Sequence, residues 1–222
     1  MQCELVRSKR RTLTITIDGG GRCVVRAPLR MPLREIEAFV NEKRSWIETK
    51  LHEIKIKTAL ALPEPQLQDG AEWIIAGKKL HVKFVSGTAK NYAAFKGNTF
   101  ECSPELSRTA LIKFWRAFTK EFFRQRVKKY VAAVGAEPRC VKASEAHGRW
   151  GSCSAQNVLS FSWRLIFAPL SLIDYVVVHE LCHIGCMNHS KIFWQRVASV
   201  MPDYAIRRKA LKEYGYLLKW FR

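Results

Sequence analysis

At 222 residues the chain is long enough for one large hydrophobic core or two modest ones. Its hydrophobic content of 48% is that of a globular protein, and no apolar run reaches the roughly 18 residues of a membrane-spanning helix. Lys and Arg number 38 against 19 Asp and Glu, a net charge of +19 that draws anionic partners such as nucleic acid or nucleotides. The excess is uneven: residues 102–135 carry eight basic and two acidic side chains, whereas 136–202 carry six and four.

Seven cysteines are scattered singly at 3, 23, 102, 140, 153, 182 and 186. Met1-Gln2-Cys3-Glu4 shows no charged region leading into an apolar one, so no export signal is expected. The cysteines then read as reduced thiols, and the expected location is cytoplasmic.

In chain order, Glu4–Arg7 and Leu13–Ile17 alternate with period two, and Asp18-Gly19-Gly20-Gly21 turns the chain into Cys23-Val24-Val25. No Gly-Lys-Ser/Thr follows the glycines, so they form a hairpin turn rather than a phosphate loop. Pro32 opens a helical pattern in which Leu33, Ile36, Val40, Ile47, Leu51 and Ile54 share one stripe. Leu62-Pro63-Glu64-Pro65 ends it. Strand-like runs at 73–75, 80–85, 92–95 and 99–101, separated by Gly77, Gly87 and Gly97-Asn98, predict an antiparallel meander. Residues 1–101 are thus expected to form a β-rich N-terminal module with one amphipathic helix.

Residues 104–134 predict a long basic helix, with Leu111, Phe114, Phe118 and Phe122 on its apolar stripe and a solvated charged face. Gly135 ends it. Cys140–Ala143 and Val158–Phe161 read as strands, the second in a hairpin around Ala155-Gln156-Asn157. Pro169-Leu170-Ser171 then starts a helix so apolar that it must be buried.

That helix ends in His179-Glu180-Leu181-Cys182-His183. Residues four apart lie on one helical face, so His179 and His183 can direct two imidazoles at one ion while Glu180 lies beside them. This is the H-E-x-x-H arrangement of zinc hydrolases, with the carboxylate as general base. His189, six residues past His183 and beyond Gly185, can supply a third ligand and leave a fourth position for water. Burying a Glu between two histidines without a partner would be costly, which argues against plain core histidines. Cys182 and Cys186 are assigned to packing.

The blocks Trp150-Gly151-Ser152-Cys153, Trp163-Arg164-Leu165, Ala168-Pro169, Ile173–Val177, His179–His183, Asn188-His189-Ser190 and Phe193-Trp194 resemble the YgjP-type metal-dependent hydrolases. These are zincin-like proteins related to the SprT and WLM metallopeptidases. The H-E-x-x-H-x5-H spacing is shared with metzincins, but their glycine would fall at Cys186 and here stands at Gly185. The resemblance implies an α+β fold in which the β-rich N-terminal module, 1–101, precedes a zincin-like hydrolase domain, 102–222. It implies Zn2+ held by His179, His183 and His189, with Glu180 catalytic. Similarity to zincins also places a strand beside the metal where an extended peptide can add. Arg149, Ser152 and Arg164 become candidate substrate contacts, or braces of the fold, and Tyr204 a candidate oxyanion contact.

The expected function is therefore a zinc metallopeptidase acting on a peptide or protein, with no membrane partner. Two alternatives stand beside it. The same centre can hydrolyse a nucleotide phosphoanhydride, with arginines on the phosphates. Or the chain is a nucleic-acid-associated protein with a structural metal, a reading in which Glu180 would have no task.

Overall fold

The computed structural model describes residues 3–221, leaving aside the side chains at 57, 58 and 60. Met1, Gln2 and Arg222 lie outside the described residues. The chain is a mixed α/β protein that divides into two compact units, Met1–Leu62 and Pro63–Arg222. The division thus falls well before the expected boundary at 101/102. The reason is aromatic packing: Trp73 and Phe100 lie 5.8 and 5.9 Å from Trp115, in the same core as Phe167 and Leu172.

In the first unit, β1 (Glu4–Ser8), β2 (Thr14–Ile17) and β3 (Cys23–Pro28) form a sheet in the order β1-β3-β2. The β2–β3 hairpin turns as expected, with Asp18 Oδ1 accepting the Gly20 and Arg22 N–H groups at 2.8 and 3.0 Å. β1 runs parallel to β3 with Glu4 opposite Val24, so Cys3 falls next to Cys23. Their Cα atoms are 4.7 Å apart and the pair forms a disulfide. The expectation of seven reduced thiols therefore fails for this pair; the other five cysteines are free. The expected single helix is two, α1 (Leu33–Glu42) and α2 (Arg44–Leu60). The interruption is at Lys43, whose backbone sits at φ −89°, ψ 6°. No glycine or proline marks it. Ile36 joins Val25 and Ala27 in a small core.

The second unit opens with β4 (Glu72–Ile75), β5 (Lys78–Phe84), β6 (Ala93–Lys96) and β7 (Thr99–Cys102), in the order β4-β5-β7-β6. Two antiparallel hairpins are joined by a parallel β5–β7 pair, so the sheet is not a simple meander. The long helix α3 (Arg108–Val134) starts at Ser107, whose Oγ accepts the Ala110 N–H, and ends at Gly135 with φ 68°. Its buried stripe is Leu111, Trp115, Thr119, Phe123 and Val127, spaced by four. Phe114, Phe118 and Phe122, the expected line, flank it half-buried, one residue away. Thr119 is tolerated there because its hydroxyl donates to the Trp115 carbonyl at 2.7 Å.

β8 (Cys140–Ser144), β9 (Gly151–Cys153) and β10 (Val158–Ser162) make a third sheet, ordered β8-β10-β9, with β8 parallel and β9 antiparallel to β10. A 3-10 turn at Trp163–Phe167 leads to α4 (Leu170–Cys182), then α5 (Lys191–Val200), α6 (Tyr204–Glu213) and a final 3-10 turn at Tyr214–Lys219. α4 is buried nearly all round, as its composition requires. Its one buried acid before Glu180, Asp174, takes a two-pronged bond from Arg126 of α3 at 2.8 and 2.6 Å. Tyr130 OH adds a third donor at 2.8 Å. Among the described residues no helix is long and apolar enough to cross a membrane.

Candidate metal centre

The last turn of α4 brings His179 and Glu180 to the site, and His183 occupies the helix C-cap. Gly185, at φ 86°, reverses the chain, a conformation that a side chain disfavours. Asn188 Oδ1 then accepts the Ser190 N–H, and Ser190 Oγ accepts the Phe193 N–H to begin α5. His189 is held between these two turns. The short loop after α4 thereby folds it back onto the helix end.

The three imidazoles converge through Nε2. His179 Nε2 lies 3.2 Å from that of His183 and 3.1 Å from that of His189. All three ligand atoms fall within 4.8 Å of one another, and they form a cluster able to hold a metal ion. A tetrahedral ion with nitrogens at about 2.0–2.1 Å would set neighbouring nitrogens roughly 3.3 Å apart. The two separations from His179 fit that. His183 Nδ1–H donates to the Cys186 carbonyl at 3.0 Å, which fixes the ring and leaves the Nε2 lone pair facing the cluster.

Burial is the main force on the titrations. It pushes His179 down to about 3, with His183, His189 and Arg208 adding charge repulsion. His183 is lowered by the same burial, against the opposing hydrogen bond to Cys186. Both rings are therefore neutral at pH 7, the form that ligates a cation. Glu180 is pushed up to about 7 by burial, with exposed Arg149 pulling the other way.

β9 supplies a wall that Glu180 touches. A Cβ at Gly151 would stand 2.7 Å from both Cγ and Oε1 of Glu180. Only glycine lets the strand run this close to the carboxyl. Ser152 follows on β9, opposite Ser160 of β10. The Trp150 carbonyl accepts the Ser162 N–H at 2.8 Å and anchors the start of the strand.

On the other flank Trp194 stacks on His189 at 5.5 Å, and Tyr204 stacks on Trp194 at 5.3 Å. Tyr204 thus reaches the ligand cluster through an intervening ring. Arg208 lies 4.6 Å over the Trp194 ring. Tyr175, one turn before His179 on α4, is pushed up to about 12, chiefly by burial. Arg208, Glu180 and Tyr204 also act on it, so its hydroxyl sits among the groups of the site. Tyr175 had a sequence signal, its four-residue spacing to His179. Arg208 had none, because α6 meets α4 only in the folded chain.

Arg164 is elsewhere. It is buried, donates to the carbonyls of Trp220 and Phe221, and stacks on Trp163 at 4.6 Å. Its role as a substrate contact gives way to that of a brace, since no external molecule reaches a side chain 1% exposed. Cys182 is buried beside the ligands, and neither it nor Cys186 belongs to the cluster among the described residues. Arg196 of α5 was not foreseen: its guanidinium donates to the carbonyls of Ile184 at 2.6 Å, Cys182 at 3.3 Å and Val134 at 3.1 Å. It pins the backbone on both sides of His183.

A buried helix presenting two histidines and a carboxylate, closed by a third histidine from the next loop, has the form of a metal-dependent hydrolase centre. The YgjP-like family model, described as a metallopeptidase domain, matches residues 11–214, and the chain belongs to this family. It is accordingly a metallopeptidase-type hydrolase. Comparison with curated proteins and with solved structures finds no match.

Proposed function

We propose that the chain is a zinc metallopeptidase in which His179, His183 and His189 hold the ion and Glu180 is the general base. The observation that carries this reading is the convergence of three Nε2 atoms beside a carboxyl that Gly151 alone allows into place. Three imidazoles with a further open position suit zinc among the common divalent ions. When bound, the ion supplies Lewis acidity toward a carbonyl oxygen and toward water.

The chain's own groups do the rest. Glu180 accepts the proton of the attacking water and delivers it to the leaving amine. β9 is the outer strand of its sheet, so an extended peptide can add along its free edge and bring its carbonyl to the site. Ser152, on that strand, and Arg149, just before it, are the contacts proposed for that peptide. Tyr204 and Arg208 border the opposite flank.

Glu180→Gln is the decisive variant. It keeps size and polarity but cannot take the proton, so hydrolysis of an unfolded protein should fall by about 100-fold or more. Metal content and melting temperature should stay at wild-type levels. Unchanged activity with the ion present would remove Glu180 from the mechanism.

One observation favours a second substrate class: two exposed guanidinia act on the groups of the site, Arg149 on Glu180 and Arg208 on His179. Such a pair suits phosphate oxygens. A nucleoside triphosphate panel assayed in parallel distinguishes the readings. Release of phosphate or diphosphate that depends on Glu180, with proteins left intact, would replace the peptidase reading with nucleotide hydrolysis.

A further inference from the structure

α3 carries a file of exposed cations along the flank of its buried stripe. Lys113, Arg116, Lys120, Arg124 and Lys128 succeed one another at spacings of three and four, and all five are exposed. On a helix that is a single file running roughly 22 Å, with a cation about every 6 Å over most of its length. The helix cannot easily turn this file elsewhere, because the adjoining stripe from Leu111 to Val127, about 100° round the helix, is buried.

The file does not stand on a convex surface. Two concavities, of about 810 and 840 Å³, open between α3 and β8 and meet at Lys120, which lines both. Lys142 of β8 and Arg139 just before it add cations on the far wall. Seven cations therefore border the groove against three carboxylates, Glu121, Glu137 and Glu145. Two of those carboxylates are already matched, Glu145 by Arg116 at 3.1 Å and Glu121 by Arg124 at 3.6 Å. Both pairs are about half exposed and so weak enough to exchange for a better anion. Among the described residues Lys113, Lys120, Lys128, Arg139 and Lys142 have no ion-pair partner.

We propose that this groove between α3 and β8 binds a nucleic-acid strand through its phosphate backbone, without sequence preference. The regular single file suits a polymer with one negative charge per repeat better than an acidic polypeptide, whose charges are irregular. Arg116 and Arg124 offer forked donors that match phosphate oxygens. None of the lining residues is aromatic, so bases have no platform to stack on and sequence is not read. The position also separates this surface from the hydrolytic centre. β8 is one outer strand of the three-stranded sheet, and β9, which touches Glu180, is the other. A strand in the groove leaves the edge of β9 free.

The test is fluorescence anisotropy on the full-length protein with a labelled single-stranded DNA of about 20 nucleotides, in two unrelated sequences. Binding is expected near 10⁻⁶ M at low salt, equal for both sequences, and falling steeply as salt rises. Lys120→Gln/Arg124→Gln/Lys128→Gln should weaken binding at least tenfold and reduce the slope of log K against log salt by about 2. The control, Lys55→Gln/Lys83→Gln/Lys90→Gln, removes equal charge from exposed positions elsewhere and should change affinity less than about threefold. Equal losses in the two triple variants would mean that net charge, not the groove, holds the DNA. Competition by polyglutamate as effective as unlabelled DNA would assign the groove to acidic proteins instead. Either result, or no binding at low salt, overturns the proposal.

Discussion

Gly151 shows what single-residue geometry does at this centre. Ala at 151 would place a methyl group 2.7 Å from the Glu180 side chain, so the carboxyl must move. Gly151→Ala should therefore lower hydrolysis by about 100-fold while metal content is retained, at a stability cost of about 1–3 kcal/mol. The discriminating measurement is a double-mutant cycle. If Gly151 acts through Glu180, adding Gly151→Ala to Glu180→Gln should cost almost no further activity. Independent losses would mean that the alanine disturbs something else. The histidine cluster itself was legible in the sequence, because His179, Glu180 and His183 share one helix and His189 lies one short loop beyond. The glycine's task and the presence of Arg208 were not. Each depends on a contact between residues about 30 apart in sequence, and no local pattern encodes it.

At the scale of elements, α3 and α4 are tied by one polar contact inside an otherwise apolar interface. Asp174 and Arg126 have side chains 9% and 19% exposed, and Tyr130 completes the carboxylate's partners. Asp174→Ala would leave the guanidinium half-buried without its anion, which costs about 3–5 kcal/mol. Differential scanning calorimetry should show the melting temperature lowered on the order of 10 °C. A shift of only a degree or two would mean that water replaces the carboxylate at little cost. Periodicity found both helices but placed the α3 stripe one residue off. The aromatic run offers two neighbouring stripes, and only packing against Trp73, Phe100 and Phe167 selects the one through Trp115. The parallel β5–β7 pair was likewise hidden, since strand signals carry no information on pairing direction.

For the molecule as a whole, the ion should be a structural asset as well as a reagent. It would bind α4 and the loop before α5 in the native state only, and a ligand at 1,000 times its Kd stabilises by about 4 kcal/mol. Chelation should lower the melting temperature and abolish hydrolysis together, and added zinc should restore both. His183→Ala should melt at the same temperature with and without chelator. Elemental analysis should find about one zinc per wild-type chain and far less in His183→Ala or His189→Ala. Wild-type occupancy in the His189 variant would remove that residue from the ligand set.

Arg164 makes the second unit depend on its last residues. Its buried guanidinium finds acceptors on Trp220 and Phe221, and the Phe221 N–H donates to Glu64 at 2.8 Å. The Phe221 ring also packs against Trp73, Trp163 and Phe167. The first and last segments of the second unit thus seal the same corner of its core. A chain that has made α4 but lacks residues 220 and 221 loses these two acceptors of a buried cation and leaves an aromatic cavity open. Closure of this part of the core therefore needs residues 220 and 221 in place. A chain stopped after Lys219 should be poorly soluble and lack a cooperative melting transition, although every proposed metal ligand is present.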